Sequence, residues 1–128
     1  TSQFAALATL YYLLDHMGGH VIELCGIFQS RRDTMLGAIG EFMGSSVTSS
    51  NPHGGLYLWL NLPEGADATR VAPIARERGP AYLTGSAFSP NGDGKNFLRL
   101  CFGYENNENI RDGIALLKDV FVEEGLLS

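Results

Sequence analysis

The side chain whose setting most strongly suggests chemistry is the arginine at position 99. Residues 97–102 alternate in the manner of a β-strand, so Arg99 shares one face with Phe97 and Cys101. A guanidinium among apolar neighbours is costly to desolvate unless an anion meets it, and its planar fork matches a carboxylate bidentately. The pattern therefore predicts a carboxylate partner for Arg99. The partner is either a ligand or one of the fourteen acidic side chains of the chain, and on the residues alone an internal ion pair is favoured.

The sequence contains partial matches to a metal site, a phosphate-binding loop and a hydrolase nucleophile, but their residues or spacing do not fit. His16 and His20 are four apart, but two glycines lie between them, so a metal site is not expected. Residues 92–95 read Gly-Asp-Gly-Lys without the first glycine or the final Ser or Thr of a phosphate-binding loop. Ser86 does not stand in the Gly-x-Ser-x-Gly setting of a hydrolase nucleophile. Residues 31–33, Arg-Arg-Asp, are interpreted as a solvated or locally paired helix face.

The two cysteines, Cys25 and Cys101, are far apart and outside any Cys-x-x-Cys motif. Neither a disulfide framework nor a cysteine zinc site is indicated. We expect two buried free thiols in a reducing compartment, which means a cytoplasmic protein.

The length, charge and composition of the chain exclude some classes of protein. A chain of 128 residues allows one domain, and a net charge of −5 with two lysines argues against a nucleic-acid surface. Charged residues make up 18% of the chain, below the usual share of about 25%, so a covering partner is expected to be missing. The chain opens without Met and without a signal peptide, which is typical of a cut fragment.

The first part of the chain predicts two helices. Residues 4–14 carry no charge, so a helix there must be buried, and eleven residues are too few to cross a membrane, which needs about 20. We therefore infer a missing partner domain or subunit. Gly18-Gly19 is expected to end this helix, and apolar residues at helical spacing predict a second one over residues 20–43.

The remainder predicts a small sheet with two further helices. Leu56, Leu58, Leu60 and Leu62 alternate with the mostly aromatic set Tyr57, Trp59 and Asn61, as expected for a strand covered on both sides. The other expected elements are a polar stretch over residues 45–50, a helix from Asp67 or Thr69 to Arg78 with Pro73 near its first turn, strands over 81–84 and 97–102, and a helix from Asn106 to Gly125. The predicted fold class is α+β, an α/β sandwich in which helices pack on a small, mostly antiparallel sheet.

Four segments together resemble the C-terminal part of class I/II, fold-type I aminotransferases. The similarity is to the branch that contains aminoadipate-like and aromatic aminotransferases and the aminotransferase-like domains of MocR regulators, and it covers nearly the whole chain. The segments are Arg31-Arg32-Asp33-Thr34-Met35-Leu36, Gly54-Gly55-Leu56-Tyr57-Leu58-Trp59-Leu60-Asn61-Leu62-Pro63, Gly85-Ser86-Ala87-Phe88 and Asn96-Phe97-Leu98-Arg99-Leu100-Cys101-Phe102.

This resemblance implies that the protein has two domains with different roles. In the family, a large domain carries pyridoxal 5'-phosphate (PLP) and its Schiff-base lysine, and the small C-terminal domain moves over the substrate. Residues 1–18 would then be the helix linking to the absent large domain, and residues 19–128 the small domain. Neither Lys95 nor Lys118 stands in the family's Ser-x-x-Lys setting, so this chain alone is expected to be inactive and to bind no PLP covalently.

The resemblance also implies site residues and partners. Arg99 stands where the family grips the substrate α-carboxylate, and Gly55 and Tyr57 correspond to the loop and strand that line the same cleft. No catalytic, cofactor-binding or metal-binding residue is assigned within the chain. The implied partners are an amino acid or 2-oxo acid, the large domain of the same chain and a second subunit of a homodimer, with no membrane and no nucleic acid bound by this domain.

Departures from the family pattern leave alternatives open. Thr84 stands where the family usually has Pro, and Pro80 where an aliphatic residue is commoner, which leaves the geometry of the following loop undecided. The first alternative is an effector-sensing domain of a MocR-type transcription regulator. The second is a free-standing α+β binding module in which Arg99 only closes a salt bridge. The amino acid acted on is not determined by this sequence.

Overall fold

The computed structural model describes residues 2–128 and contains three helices and a four-stranded sheet. The helices are α1 (Gln3–Met43), α2 (Ala68–Arg78) and α3 (Asn107–Glu123). The strands are β1 (Thr48–Ser49), β2 (Tyr57–Asn61), β3 (Leu83–Thr84) and β4 (Phe97–Cys101). Short 3₁₀ helices, Gly44–Ser46 and Gly85–Phe88, follow α1 and β3.

Helix α1 is continuous over 41 residues, so the prediction of two helices separated by Gly18-Gly19 is wrong. A glycine inside a helix costs only about 1 kcal/mol relative to alanine, and the flanking helix-forming residues carry the helix across the pair. The Ser2 side chain caps its start by accepting a hydrogen bond from the Ala5 amide.

The sheet is antiparallel throughout, in the order β1-β2-β4-β3. In the central pair, Tyr57 lies opposite Cys101, and Trp59 opposite Arg99. The short β3 places Leu83 on the other side of Arg99. The α+β fold expected from the sequence is confirmed.

The aliphatic face of the sheet forms the core together with all three helices. Leu58, Leu60 and Leu98 are fully buried. The second half of α1, α2 and α3 complete this core with apolar side chains: Met35, Ala38, Ile39, Met43, Val71, Ala75, Ile110, Ile114, Leu117, Val120 and Phe121.

The two shorter helices begin at caps that the sequence offered, with Asp67 rather than Thr69 capping α2. Asp67 accepts hydrogen bonds from the amides of Thr69 and Arg70 at the start of α2, and Asn106 accepts one from the amide of Asn109 in α3. Pro73 lies inside α2 rather than in its first turn, which corrects the sequence-based placement. Proline has no amide N–H, so the helix continues past Pro73 to Arg78 with one backbone hydrogen bond fewer.

Two expectations of burial are wrong for this chain by itself. Residues 2–23 are exposed, as expected of an apolar helix whose covering partner is not part of residues 2–128. Strand β2 is covered on its leucine face only, since Tyr57 is 46% and Trp59 37% exposed. Both cysteines are free and exposed rather than buried. In each case the uncovered surface lies where no other part of residues 2–128 packs.

Candidate functional site

The uncovered face of the sheet carries the candidate site. Strand alternation places the leucines of β2 and β4 in the core and their neighbours on the opposite side. We call this opposite side the open face and define it by seven residues: Tyr57, Trp59, Leu83, Phe88, Phe97, Arg99 and Cys101. Arg99 is the only charged member, so the open face is an aromatic surface around a single cation.

The guanidinium of Arg99 lies against two aromatic rings. Its central carbon is 4.1 Å from the centroid of the Tyr57 ring and 4.5 Å from that of Phe88. The negative faces of aromatic rings attract a cation at these distances. Trp59 meets Phe88 edge-on with 5.4 Å between ring centroids, so the aromatic support extends to a third residue.

Arg99 has no carboxylate partner among residues 2–128, unlike most arginines of the chain. Arg32, Arg70, Arg78 and Arg111 each pair with an acidic side chain. The internal ion pair that the residue pattern favoured is therefore wrong for the described chain. The half-buried guanidinium keeps its N–H groups available to an anion from outside, and two aromatic rings hold it in place.

Phe88 reaches Arg99 because the 3₁₀ helix Gly85–Phe88 packs tightly on the turn before β4. A Cβ atom at Gly85 would overlap the Gly94 carbonyl oxygen and would lie 2.9 Å from the Phe97 Cβ, so only glycine fits there. The Ser86 hydroxyl hydrogen-bonds the hydroxyls of Thr84 and Thr69, at 3.0 and 2.9 Å. Backbone contact and hydroxyl bonds thus fix the turn that presents Phe88.

Of the other two residues proposed for the site, the structure brings one to Arg99 and not the other. Tyr57 contacts the guanidinium directly. Gly55 lies in the loop before β2 with a φ of 79°, a conformation that favours glycine. It lines a separate cavity of about 210 Å³ together with Phe28 and Arg32 of α1.

The arginines of residues 31–33 do more than the sequence predicted. The expected local pair exists, since Arg32 donates to Asp33. In addition, Arg31 donates to the Gly103 carbonyl at 2.8 Å and Arg32 to the Pro52 carbonyl at 3.0 Å. These bonds join α1 to the loops at the end of β4 and before β2.

The residues present do not fit covalent attachment of PLP. The exposed Lys95 lies 3.9 Å from the Asp67 carboxylate, and Lys118 pairs with its neighbour Asp119 on α3. Neither lysine lies on the open face beside Arg99. Residues 2–128 also contain no His, Cys, Asp and Glu cluster suited to a metal ion.

No helix within residues 2–128 combines the length and apolar character needed to span a membrane.

Two residues of the site were not singled out from the sequence. Phe88 was quoted within the Gly-Ser-Ala-Phe segment without a role, and Trp59 only as an alternating strand residue. A pairing of β2 with β4 would have placed Trp59 beside Arg99, because opposite residues of antiparallel strands share a face. No local pattern reveals Phe88, since its approach depends on the fold of the Gly85 turn.

Comparison with known proteins gives consistent matches. No protein-family model matches the chain. It is 38% identical over 109 residues to aromatic-amino-acid aminotransferase 1 of Thermococcus litoralis, covering 85% of this chain and 26% of that protein. It is 27% identical over 107 residues to an uncharacterized HTH-type transcriptional regulator, YjiR, of Escherichia coli, covering 84% of this chain and 23% of that protein.

Solved structures agree with this relationship. The crystal structure of the multiple substrate aminotransferase from Thermococcus profundus matches with a TM-score of 0.81 and 35% identity, over 89% of this chain and 28% of that one. LysN, the α-aminoadipate aminotransferase of Thermus thermophilus, matches with a TM-score of 0.82 and 27% identity, over 91% of this chain and 29% of that one. That structure contains N-(5'-phosphopyridoxyl)-L-leucine.

The chain spans about a quarter of the length of the curated relatives it matches. Within that quarter, both the sequence and the fold match. This chain belongs to the fold-type I aminotransferases.

Proposed function

We propose that this chain is the C-terminal small domain of a PLP-dependent aminotransferase that transfers an amino group between an amino acid and a 2-oxo acid. In this proposal Arg99 binds the α-carboxylate of the substrate. The observation that carries it is the half-buried guanidinium of Arg99, which two aromatic rings contact and no carboxylate of residues 2–128 meets.

The chemistry of the open face suits this role. A guanidinium whose faces contact rings can donate two parallel N–H···O bonds from its edge to one carboxylate. Two parallel bonds fix both the position and the orientation of the substrate, which lowers the entropy cost of the reaction. The aromatic rings cover part of the guanidinium, and the reduced contact with water strengthens its attraction for the anion.

The cofactor belongs to the part of the parent protein outside this chain. When bound there, PLP would supply the electron sink that makes the bonds at the substrate Cα reactive. No residue of this chain is proposed to bind PLP, because its two lysines, Lys95 and Lys118, each lie beside an acidic side chain. The small domain contributes binding and orientation of the carboxylate.

The domain arrangement is part of the same proposal. Residues 1–18 would link to the large domain and residues 19–128 form the small domain. The exposed apolar side chains of the first half of α1, among them Phe4, Leu14 and Ile22, would pack against the rest of the parent protein. The intact protein would be a homodimer, as the resemblance implies, and its free thiols suit the reducing conditions of the cytoplasm.

The test is the substitution Arg99→Ala in the full-length protein. Removing one partner of a buried charged pair typically costs about 2 to 5 kcal/mol. The free energy of transition-state binding, obtained from kcat/KM, should therefore weaken by that amount, and KM for the amino acid should rise. Arg76→Ala is the matched control, because Arg76 is exposed on α2 and pairs with no acidic group among residues 2–128. Near-normal kinetics for Arg99→Ala would remove the proposed role.

A second candidate is an effector-sensing domain of a transcription regulator. The observation that favours it is the match to the HTH-type regulator YjiR over 84% of this chain. A DNA-binding segment encoded upstream in the same gene, together with DNA binding that responds to an amino acid, would support this function. Steady-state amino transfer by the full-length protein would favour the enzyme instead.

A further inference from the structure

Two adjacent arginines of α1 reach away from the helix to backbone carbonyls. Arg31 donates from Nη1 to the Gly103 carbonyl at 2.8 Å, and Arg32 from Nη1 to the Pro52 carbonyl at 3.0 Å. Both arginines are half-buried, and the Arg32 side chain is only 19% exposed. Partly buried hydrogen bonds from charged donors are stronger than those between neutral groups, so both contacts restrain the loops that accept them.

The two accepting loops meet at one corner of the sheet. The Phe102 amide donates to the Leu56 carbonyl at 3.0 Å. A Cβ atom at Gly103 would lie 3.2 Å from Leu56, so the two loops are in close contact there. Leu56 directly precedes Tyr57, and Phe102 follows the strand that carries Arg99.

We propose that Arg31 and Arg32 are positioning residues that tie this corner to α1 and thereby hold Tyr57 against Arg99 in the geometry that accepts a substrate carboxylate. This rests on the proposed function of Arg99. Neither arginine belongs to the open face. They act through the backbone of the two strands that meet at the corner.

Neighbouring contacts support a specific attachment rather than two incidental bonds. Asp33 holds the Nε and Nη2 edge of Arg32, at 2.8 and 2.6 Å, and so directs Nη1 towards Pro52. One residue before Arg31, the Ser30 hydroxyl accepts a hydrogen bond of 2.9 Å from the Asn107 side chain. One turn of α1 is thus fastened to both loops.

A consequence for the parent protein follows from the length of α1. The turn that contains Arg31 and Arg32 lies in the second half of α1. The 27 helical residues before it, Gln3 to Gln29, lead back to the exposed apolar end of the helix. Because a helix transmits displacement along its axis, a movement at that end would be passed through the two arginines to the corner of the sheet. The position of the carboxylate-binding group is therefore coupled to α1.

The experiment compares five variants of the full-length holoenzyme: Arg31→Ala, Arg32→Ala, the double alanine variant, Arg31→Lys, and Arg76→Ala as the exposed control. Loosened placement of a binding group by about 1 Å can cost as much as about 100-fold in rate at limiting substrate. We expect the double variant to raise KM for the amino acid by about 10-fold while kcat changes by less than about 3-fold. Arg31→Lys retains a donor towards Gly103 and should recover part of the loss.

A second measurement is independent of activity. Hydrogen exchange of the same proteins should become faster at residues 51–57 and 101–104 in the double variant and remain unchanged in Arg76→Ala. It also shows that the variants are folded, because the amides of the central β2 and β4 pair should keep their protection.

The outcomes separate this inference from the function on which it rests. If Arg99→Ala raises KM and the double variant does not, the inference is overturned and the function stands. If Arg99→Ala leaves KM unchanged, the proposed function fails and the positioning role fails with it, whatever the exchange shows. A rise in KM for the double variant with faster exchange in both loops, and partial recovery in Arg31→Lys, supports it.

Discussion

The guanidinium carbon of Arg99 lies 4.1 Å from the centroid of the Tyr57 ring, across the central strand pair of the sheet. This contact joins β4 to β2 on the open face, and Phe88 adds a second ring from the 3₁₀ helix that follows β3. The aromatic contacts order the side chain without neutralising it. An arginine that is already ordered loses less conformational entropy when it binds a carboxylate.

The ring of Tyr57, rather than its hydroxyl, is predicted to support carboxylate binding. In the full-length protein, Tyr57→Ala should weaken binding of a 2-oxo acid by about 2- to 30-fold, because a cation–π contact is worth about 0.5 to 2 kcal/mol. Tyr57→Phe keeps the ring and should bind within about 2-fold of the wild type. Titration calorimetry with the 2-oxo acid measures both. Equal weakening by the two variants would show that the hydroxyl carries the effect.

Phe88 is predicted to support the same guanidinium from a different element. Phe88→Ala should weaken carboxylate binding by a similar factor, whereas Phe88→Leu keeps apolar bulk without the ring quadrupole and separates packing from cation–π attraction. The same titration distinguishes them. Wild-type affinity in Phe88→Ala would contradict any part for this ring.

Sequence patterns predicted the parts of this site that depend on neighbouring residues, and missed the parts that depend on contacts between residues distant in the sequence. The alternation of β4 correctly set Arg99 on the face opposite Leu98 and Leu100 because strand periodicity is local. Its contact with Phe88 was not predictable, since it depends on a close approach between Gly85 and Gly94 that are nine residues apart in sequence. The residue pattern supplied a cation among apolar neighbours and left open which groups surround it.

The helices show the same limit. Caps at Asp67 and Asn106 were readable because a capping side chain bonds an amide two or three residues away. The end expected at Gly18-Gly19 was wrong because a glycine pair only weakens a helix by a local amount, which neighbouring turns can offset. The burial of α1 could not be judged locally either, since burial depends on what packs against a helix in three dimensions and not on its own residues.

Gly85 is predicted to tolerate no side chain. In Gly85→Ala the new methyl group would overlap the Gly94 carbonyl oxygen, and relief requires the backbone to shift. Overpacking of this kind typically costs about 1 to 3 kcal/mol of unfolding free energy. Chemical denaturation of the full-length protein measures the loss, and displacement of Phe88 should weaken carboxylate binding in parallel.

Gly113→Ala is the matched control for that substitution. Gly113 lies inside α3, and a Cβ atom there meets nothing within 4 Å. Alanine at an open helical position should stabilise the protein by up to about 1 kcal/mol, because it restricts the unfolded chain and favours the helix. Equal losses for the two variants would refute the specific role of the Gly85 contact.

The ion pair between Glu41 and Arg111 is predicted to make stability fall at acid pH. Arg111 donates to both carboxylate oxygens of Glu41, at 2.5 and 2.7 Å, and these hydrogen bonds lower the pKa of Glu41 from its ordinary value of 4.5. A group with a lowered folded-state pKa contributes stability above its unfolded pKa and loses that contribution as the pH falls through the folded pKa. The stability lost in Glu41→Gln should therefore be largest near neutral pH and shrink below pH 4.5.

Urea denaturation of wild type and Glu41→Gln across this pH range measures the effect. Glu64→Gln serves as the control for removal of one negative charge, since Glu64 is exposed and has no ion pair among residues 2–128. A stability difference between wild type and Glu41→Gln that stays constant down to strongly acid pH would contradict the proposed linkage.

The first half of α1 is predicted to be an interface with the rest of the parent protein. Phe4, Leu14 and Ile22 are 84, 71 and 75% exposed in this chain. Burying one such side chain contributes about 1.5 to 3 kcal/mol. Replacing all three with Glu should therefore destabilise the full-length protein by several kcal/mol, while it should reduce hydrophobic dye binding and self-association of the isolated chain.

The triple Glu variant should harm the full-length protein by lowering its stability, and should benefit the isolated chain by reducing its self-association. These opposite effects distinguish an interface from a surface that is simply apolar. Tyr104→Lys is the control, because Tyr104 is 86% exposed in the loop after β4, away from α1's first half. It should leave both proteins nearly unchanged, since surface substitutions outside an interface usually alter stability by less than about 0.5 kcal/mol. If the triple Glu variant of the full-length protein unfolds at the wild-type temperature, the first half of α1 is not an interface there and this prediction is wrong.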